Sequence, residues 1–185
     1  MNQEEKAQHL KKVTRSIKDY PKEGIVFRDL TTIFQDGEAF SMALDLLAKC
    51  LSDGSSKTIP FDKFVGIEAR GFVLAGALAA KLGGGVVLLR KPGKLPYKKR
   101  RVEYKMEYGE DALEIHMDSI IAGEKIVIVD DLLATGGTAE AGCKLIEEAG
   151  GEIVKALFLV ELPELVGRQK LSTYDVSSAI SFEGH

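Results

Sequence analysis

The chain has 185 residues, 45% of them hydrophobic and 29% charged, and a formal net charge of −3. That length suits one domain with a sizeable core, and the slightly acidic balance excludes recruitment to nucleic acid by bulk charge. Cys50 and Cys143 have neither disulfide-framework nor metal-ligand spacing and read as reduced thiols of a cytoplasmic protein.

The N-terminus, MNQEEKAQHLKK, is charged and lacks the apolar stretch of a signal peptide. Helix formers from residue 4 to 17, with Leu10, Val13 and Ile17 at helical spacing, predict a first helix, which Tyr20-Pro21 ends. A second amphipathic helix is predicted over 38–51, with Phe40, Ala43, Leu44, Leu47 and Leu51 on one face. Asp53-Gly54-Ser55-Ser56 closes it as a loop. From there the pattern alternates. Phe64–Ile67 reads as a strand, Gly71–Leu82 as a helix and Val86–Leu89 as a buried strand. Lys81 and Gly83-Gly84-Gly85 interrupt this apolar region, so it is no membrane span. Ile126–Val129 and Ile153–Val160 are two more strands, with a helix over about 138–148 between them. Such alternation predicts an α/β fold, a parallel sheet with helices on both faces. Ligands in these sheets sit beyond the carboxyl ends of the strands, here after residues 67, 89 and 129.

One segment breaks the rhythm. Lys91 to Glu110 contains Pro92, Gly93 and Pro96 and no buried strand pattern. Between Arg90 and Lys105 it carries eight Lys or Arg against one acid, Glu103. It reads as a mobile lid over an anionic small substrate, or as a solvated hairpin.

The chemistry concentrates at IVIVDDLLATGGT, Ile126 to Thr138. Ala134-Thr135-Gly136-Gly137-Thr138 lies between a strand end and a helix start, where unpaired N–H groups, permissive glycines and threonine hydroxyls suit a phosphate. An ordinary turn with Thr138 as helix cap is the plain alternative. Asp130 and Asp131 would repel a phosphate and need another partner; the vicinal hydroxyls of a sugar, or a Mg²⁺ shared with a diphosphate, supply one. The whole string resembles the phosphoribosyl diphosphate (PRPP) binding motif of the type I phosphoribosyltransferases.

That resemblance implies the type I phosphoribosyltransferase fold over residues 1–185: a mostly parallel central sheet flanked by helices, a small N-terminal hood over about 1–35 and a long mobile lid loop over about 91–110. It implies that Ala134–Thr138 hold the 5′-phosphate and that Asp130 and Asp131 face the ribose. Three further stretches are similar to the adenine-specific branch of the family. In DYPKEGIVFRDLTT, Phe27 would stack on the purine while Val26 and Arg28 read its edge through backbone groups; Leu132 would complete the adenine site. In GIEARGF, Ala69 and Arg70 would bind diphosphate, with Glu68 orienting Arg70 or lying near Mg²⁺. In RKPGKLP, leading to YKMEYG, Lys91 would bind diphosphate, Arg90 would reach it across a dimer interface, and Glu107 would carry the acid–base role. Mg²⁺ is implied as cofactor, held mainly by PRPP, diphosphate and water rather than by side chains. The implied substrates are adenine and PRPP, the implied assembly a homodimer, with neither nucleic acid nor membrane as partner. The resemblance spans residues 17–160 and returns at Phe182-Glu183-Gly184-His185. A transferase for a 6-oxo purine would share Asp130–Thr138 but lack the Phe27-Arg28-Asp29 hood and the EYG lid. A PRPP-sensing regulator would carry a pair of DNA-binding helices upstream, and the residues before Pro21 hold one helix.

Overall fold

A computed structural model describes residues 1–52, 57–106 and 109–184. Helix α1 (Gln3–Val13) opens the chain, followed by an antiparallel pair, β1 (Arg15–Lys18) and β2 (Val26–Asp29). Helices α2 (Thr31–Gln35) and α3 (Gly37–Cys50) come next. The alternating part then runs β3 (Lys63–Ile67), α4 (Arg70–Leu82), β4 (Gly85–Leu89), β5 (Lys99–Met106), β6 (Gly109–His116), β7 (Lys125–Leu133), α5 (Gly137–Glu148), β8 (Glu152–Glu161) and β9 (Val176–Ser181).

Among the described residues, five strands form the central sheet in the order β4-β3-β7-β8-β9, every neighbouring pair parallel. The period of two along β7 explains the layers. Val127 and Val129 face a core shared with α1, α3 and α4 residues such as Leu10, Leu47 and Leu74. Ile126 and Ile128 face the opposite core, with Leu145 and Ile146 of α5 and Leu113 and Ile115 of β6. Both faces of β3 and β7 are covered, so Phe64–Ile67 and Ile126–Val129 are buried throughout, as the centre of a parallel sheet requires.

Three expectations are corrected. The first helix stops at Val13: the Thr14 backbone N–H and hydroxyl both donate to the Leu10 carbonyl. Ile17 therefore belongs to β1, where it pairs with Phe27. The segment over 91–110 is not a loop throughout. Lys99–Met106 is a strand paired antiparallel with β6, because Val102 and Tyr104 point alternately inward to the α5-side core. The strand expected at Ile126–Val129 continues to Leu133 and includes Asp130 and Asp131. The loop expected at Asp53-Gly54-Ser55-Ser56 lies outside the described residues, as do Glu107, Tyr108 and His185.

Candidate active site

The order of the sheet makes the site. β3 pairs with β4 on one side and β7 on the other, so the connections leaving β3 and β7 part in opposite directions and open a crevice at their carboxyl ends. A cleft of about 260 Å³ lies there, lined by the 68–70 and 130–139 segments and by Lys91.

The helices that begin at this cleft differ from α1 and α3. At α1, Asn2 and Glu5 form a capping box. At α3, the Asp36 carboxylate accepts from the N–H groups of Glu38 and Ala39. Helices α4 and α5 start at Ala69 and Gly136 with no side-chain cap. Apart from the Phe72 N–H, which donates to the Ala69 carbonyl at 3.2 Å, their first-turn N–H groups suit a ligand, and the helix dipoles add positive potential. Thr138 does not cap α5; its hydroxyl donates to the Tyr104 Oη at 3.3 Å. Gly136 is required: its φ is +79° and a Cβ would meet the Gly167 carbonyl oxygen at 2.6 Å.

Charge in the cleft is sorted into pairs. Asp131, 5% exposed, accepts from the Arg70 Nε. Asp130 remains beside it, its Oδ1 accepting the Asp131 N–H at 2.9 Å. Burial, and then the neighbouring Asp131 charge, push the Asp130 carboxyl well above the usual carboxylate range. Glu68 accepts from the Arg90 Nε at 3.0 Å and from the Lys91 N–H at 2.7 Å. Burial opposes its charge, yet these donors hold it below the ordinary value. Glu68 thus orients Arg90 and the Lys91 backbone, not Arg70. The Lys91 ammonium donates to the Tyr104 Oη at 2.9 Å and to the Asp111 carboxylate.

The cleft brings together Ala69, Arg70, Lys91, Asp130, Asp131, Leu132 and Ala134 to Thr138. Arg90 is not among its lining residues; within one chain it binds Glu68 and sits 5.8 Å over the Phe72 ring. Val26, Phe27 and Arg28 lie on the β1–β2 hairpin, also outside the lining set. Phe27 is half-buried, its ring edge-on to Tyr20 at 5.3 Å. Arg28 stacks on Phe182 at 4.6 Å and donates to Ser16 and the Gly184 carbonyl. Asp29 pairs with Arg15 at 3.1 Å. Glu107 lies outside the described residues. Sequence reasoning missed Leu133 and Ala139 in the lining and the Tyr104–Asp111 contact to Lys91. Only strand pairing, which sets Tyr104 opposite Asp111, reveals the last.

No three His, Cys, Asp or Glu side chains among the described residues group to hold a metal, and no described helix is long and apolar enough to cross a membrane. The phosphoribosyl transferase domain family matches residues 31–184. A protein of Caldicellulosiruptor bescii named adenine phosphoribosyltransferase is 49% identical over 175 residues, covering 95% of this chain and 97% of that one. The crystal structure of adenine phosphoribosyltransferase from Thermoanaerobacter pseudethanolicus superposes with a TM-score of 0.89 at 46% identity, covering 95% of this chain and 99% of that chain. That of the Saccharomyces cerevisiae enzyme, complexed with an imino-altritol bisphosphate and adenine, gives 0.89 at 37% identity, with coverages of 95% and 99%.

Proposed function

The chain belongs to the phosphoribosyltransferase family, and from that premise we infer its reaction: it transfers the 5-phosphoribosyl group of PRPP to adenine, giving AMP and diphosphate. One observation carries the reading to this cleft: two helices with uncapped N-termini meet there at the switch point of a parallel sheet, beside Asp130 and Asp131.

In the proposed arrangement the N–H groups of Ala134–Thr138 and the Thr135 hydroxyl hold the 5′-phosphate. Asp130 and Asp131 face the ribose hydroxyls and the positive charge that develops at C1 as the diphosphate departs. Ala69 and Arg70, at the start of α4, and Lys91 receive the diphosphate; Arg90 acts there across a homodimer interface. Exposed Val86 and Leu88 on edge strand β4 and Val73 on α4 supply an apolar face for such a partner. Phe27 stacks on the purine while Val26 and Arg28 backbone groups read its amino edge, with Leu132 below. As N9 bonds to C1 the purine gives up one proton, and Glu107 is the residue assigned to hold it.

The donor set fits Mg²⁺ of the kind that travels with its substrate. Carboxylates line the cleft but, among the described residues, form no cage of three, and Mg²⁺ prefers water and substrate phosphates with few protein ligands. Bound there it supplies charge neutralisation of the diphosphate. Two free thiols, Cys50 and Cys143, suit work in the reducing cytoplasm.

The test is direct. The purified protein with PRPP, Mg²⁺ and adenine should form AMP and diphosphate in equal amounts; absence of AMP removes the reading.

A further inference from the structure

Lys91 lines the cleft but is held from outside it. Its ammonium has three donors. One goes to the Tyr104 Oη on β5 and one to the Asp111 carboxylate on β6. The two acceptors are joined to each other, Tyr104 Oη donating to Asp111 Oδ2 at 3.1 Å. They stand directly opposite in the β5–β6 register, so strand pairing fixes their separation. The third donor of Lys91 remains for an anion in the cleft. Tyr104 also accepts from the Thr138 hydroxyl, which belongs to the glycine loop at the start of α5. One phenol therefore touches a residue from each half of the cleft, the lysine on the 68–70 side and the threonine of the 134–138 cradle.

We propose that Asp111 and Tyr104 are positioning residues: the β5–β6 hairpin uses them to present Lys91 to the diphosphate of the sugar substrate and to register it against the 5′-phosphate cradle. A lysine is a flexible point charge that loses much rotamer freedom when it binds. Two fixed acceptors take that loss before the ligand arrives. Asp111 and Tyr104 contact no substrate in this scheme; they act through Lys91. The inference rests on the phosphoribosyl-transfer reading of the cleft.

A double-mutant cycle tests it, after AMP formation by the wild type has established that reading independently. Kinetics are measured for Asp111→Asn, Lys91→Met and the two combined. Asp111→Asn should raise KM for PRPP roughly tenfold and leave KM for adenine and the melting temperature unchanged. In the Lys91→Met background the same change should add almost nothing, because its effect passes through the missing ammonium. Tyr104→Phe, which keeps the ring in its core, should raise KM for PRPP in the same direction. An unchanged KM for PRPP in both Asp111→Asn and Tyr104→Phe overturns the proposal. So does an Asp111→Asn penalty equally large with and without Lys91, or one that strikes both substrates together with a loss of thermal stability.

Discussion

Asp130 is the residue that works against the fold. Its carboxyl is pushed up by burial and by Asp131, so the unfolded chain gives up this proton more readily than the folded one. The sign follows from linkage: the folded state binds more protons, so this group's contribution to stability is fullest below its unfolded value and is lost as pH rises toward the folded one. Asp130→Asn keeps the shape and the Oδ1 that accepts the Asp131 N–H while removing the charge. It should melt higher than wild type at pH 7, by a few degrees at ~2–4 °C per kcal/mol for a chain of this size, with the gap closing near pH 3. The same variant should use PRPP poorly. Calorimetric melting across pH beside a steady-state assay checks both; a lower Tm at pH 7 would show that the carboxylate is compensated in the empty protein. Asp131 is paired with Arg70, whereas the Asp130 carboxyl is pushed toward its neutral form.

At the scale of elements, the starts of α4 and α5 are the parts proposed to receive the substrate's phosphates. Gly136→Ala forces a side chain into a positive φ and against the Gly167 carbonyl. It should cost about 1–3 kcal/mol and should weaken PRPP binding as the turn opens; thermal melting and KM for PRPP read the two effects, and an unchanged Tm would mean the turn relaxes freely. How far these elements could be read in advance depended on burial. β7 was legible because Ile126 to Val129 are buried on both faces and leave no polar position to confuse the period. α5 was legible from the glycine turn before it and Gly150-Gly151 after. β9 was not, since Val176–Ser181 is rich in Ser and half-buried along most of its length. β5 was hidden by Lys99, Arg100 and Arg101, whose charge masked the inward alternation of Val102 and Tyr104. Ile17 obeyed a helical spacing by coincidence, and the tertiary pairing with Phe27 overrode it. Residues 130–138, which line the cleft together, were legible as one string because they are contiguous in sequence. The Lys91 clamp was not, because its members are 13 and 20 residues away and meet only through the hairpin.

For the whole molecule, the cleft and the hood divide the labour. The sheet's switch point gathers the residues proposed for a phosphorylated sugar, which relatives acting on any base would share. In the proposed arrangement the choice of base falls to the β1–β2 hairpin, where Phe27 rests on Tyr20 and Arg28 is tied to Phe182 and Gly184 near the C-terminal end. These contacts fix the strand that would read the amino edge of adenine, and a backbone C=O and N–H set for that edge leaves a 6-oxo purine with mismatched partners. The most direct measurement of this account is therefore kcat/KM with saturating PRPP and Mg²⁺ for adenine, hypoxanthine, guanine and xanthine in turn. The account predicts AMP from adenine with a preference of at least about a thousandfold over each 6-oxo base; comparable turnover of any of the other three, or none of adenine, would contradict it.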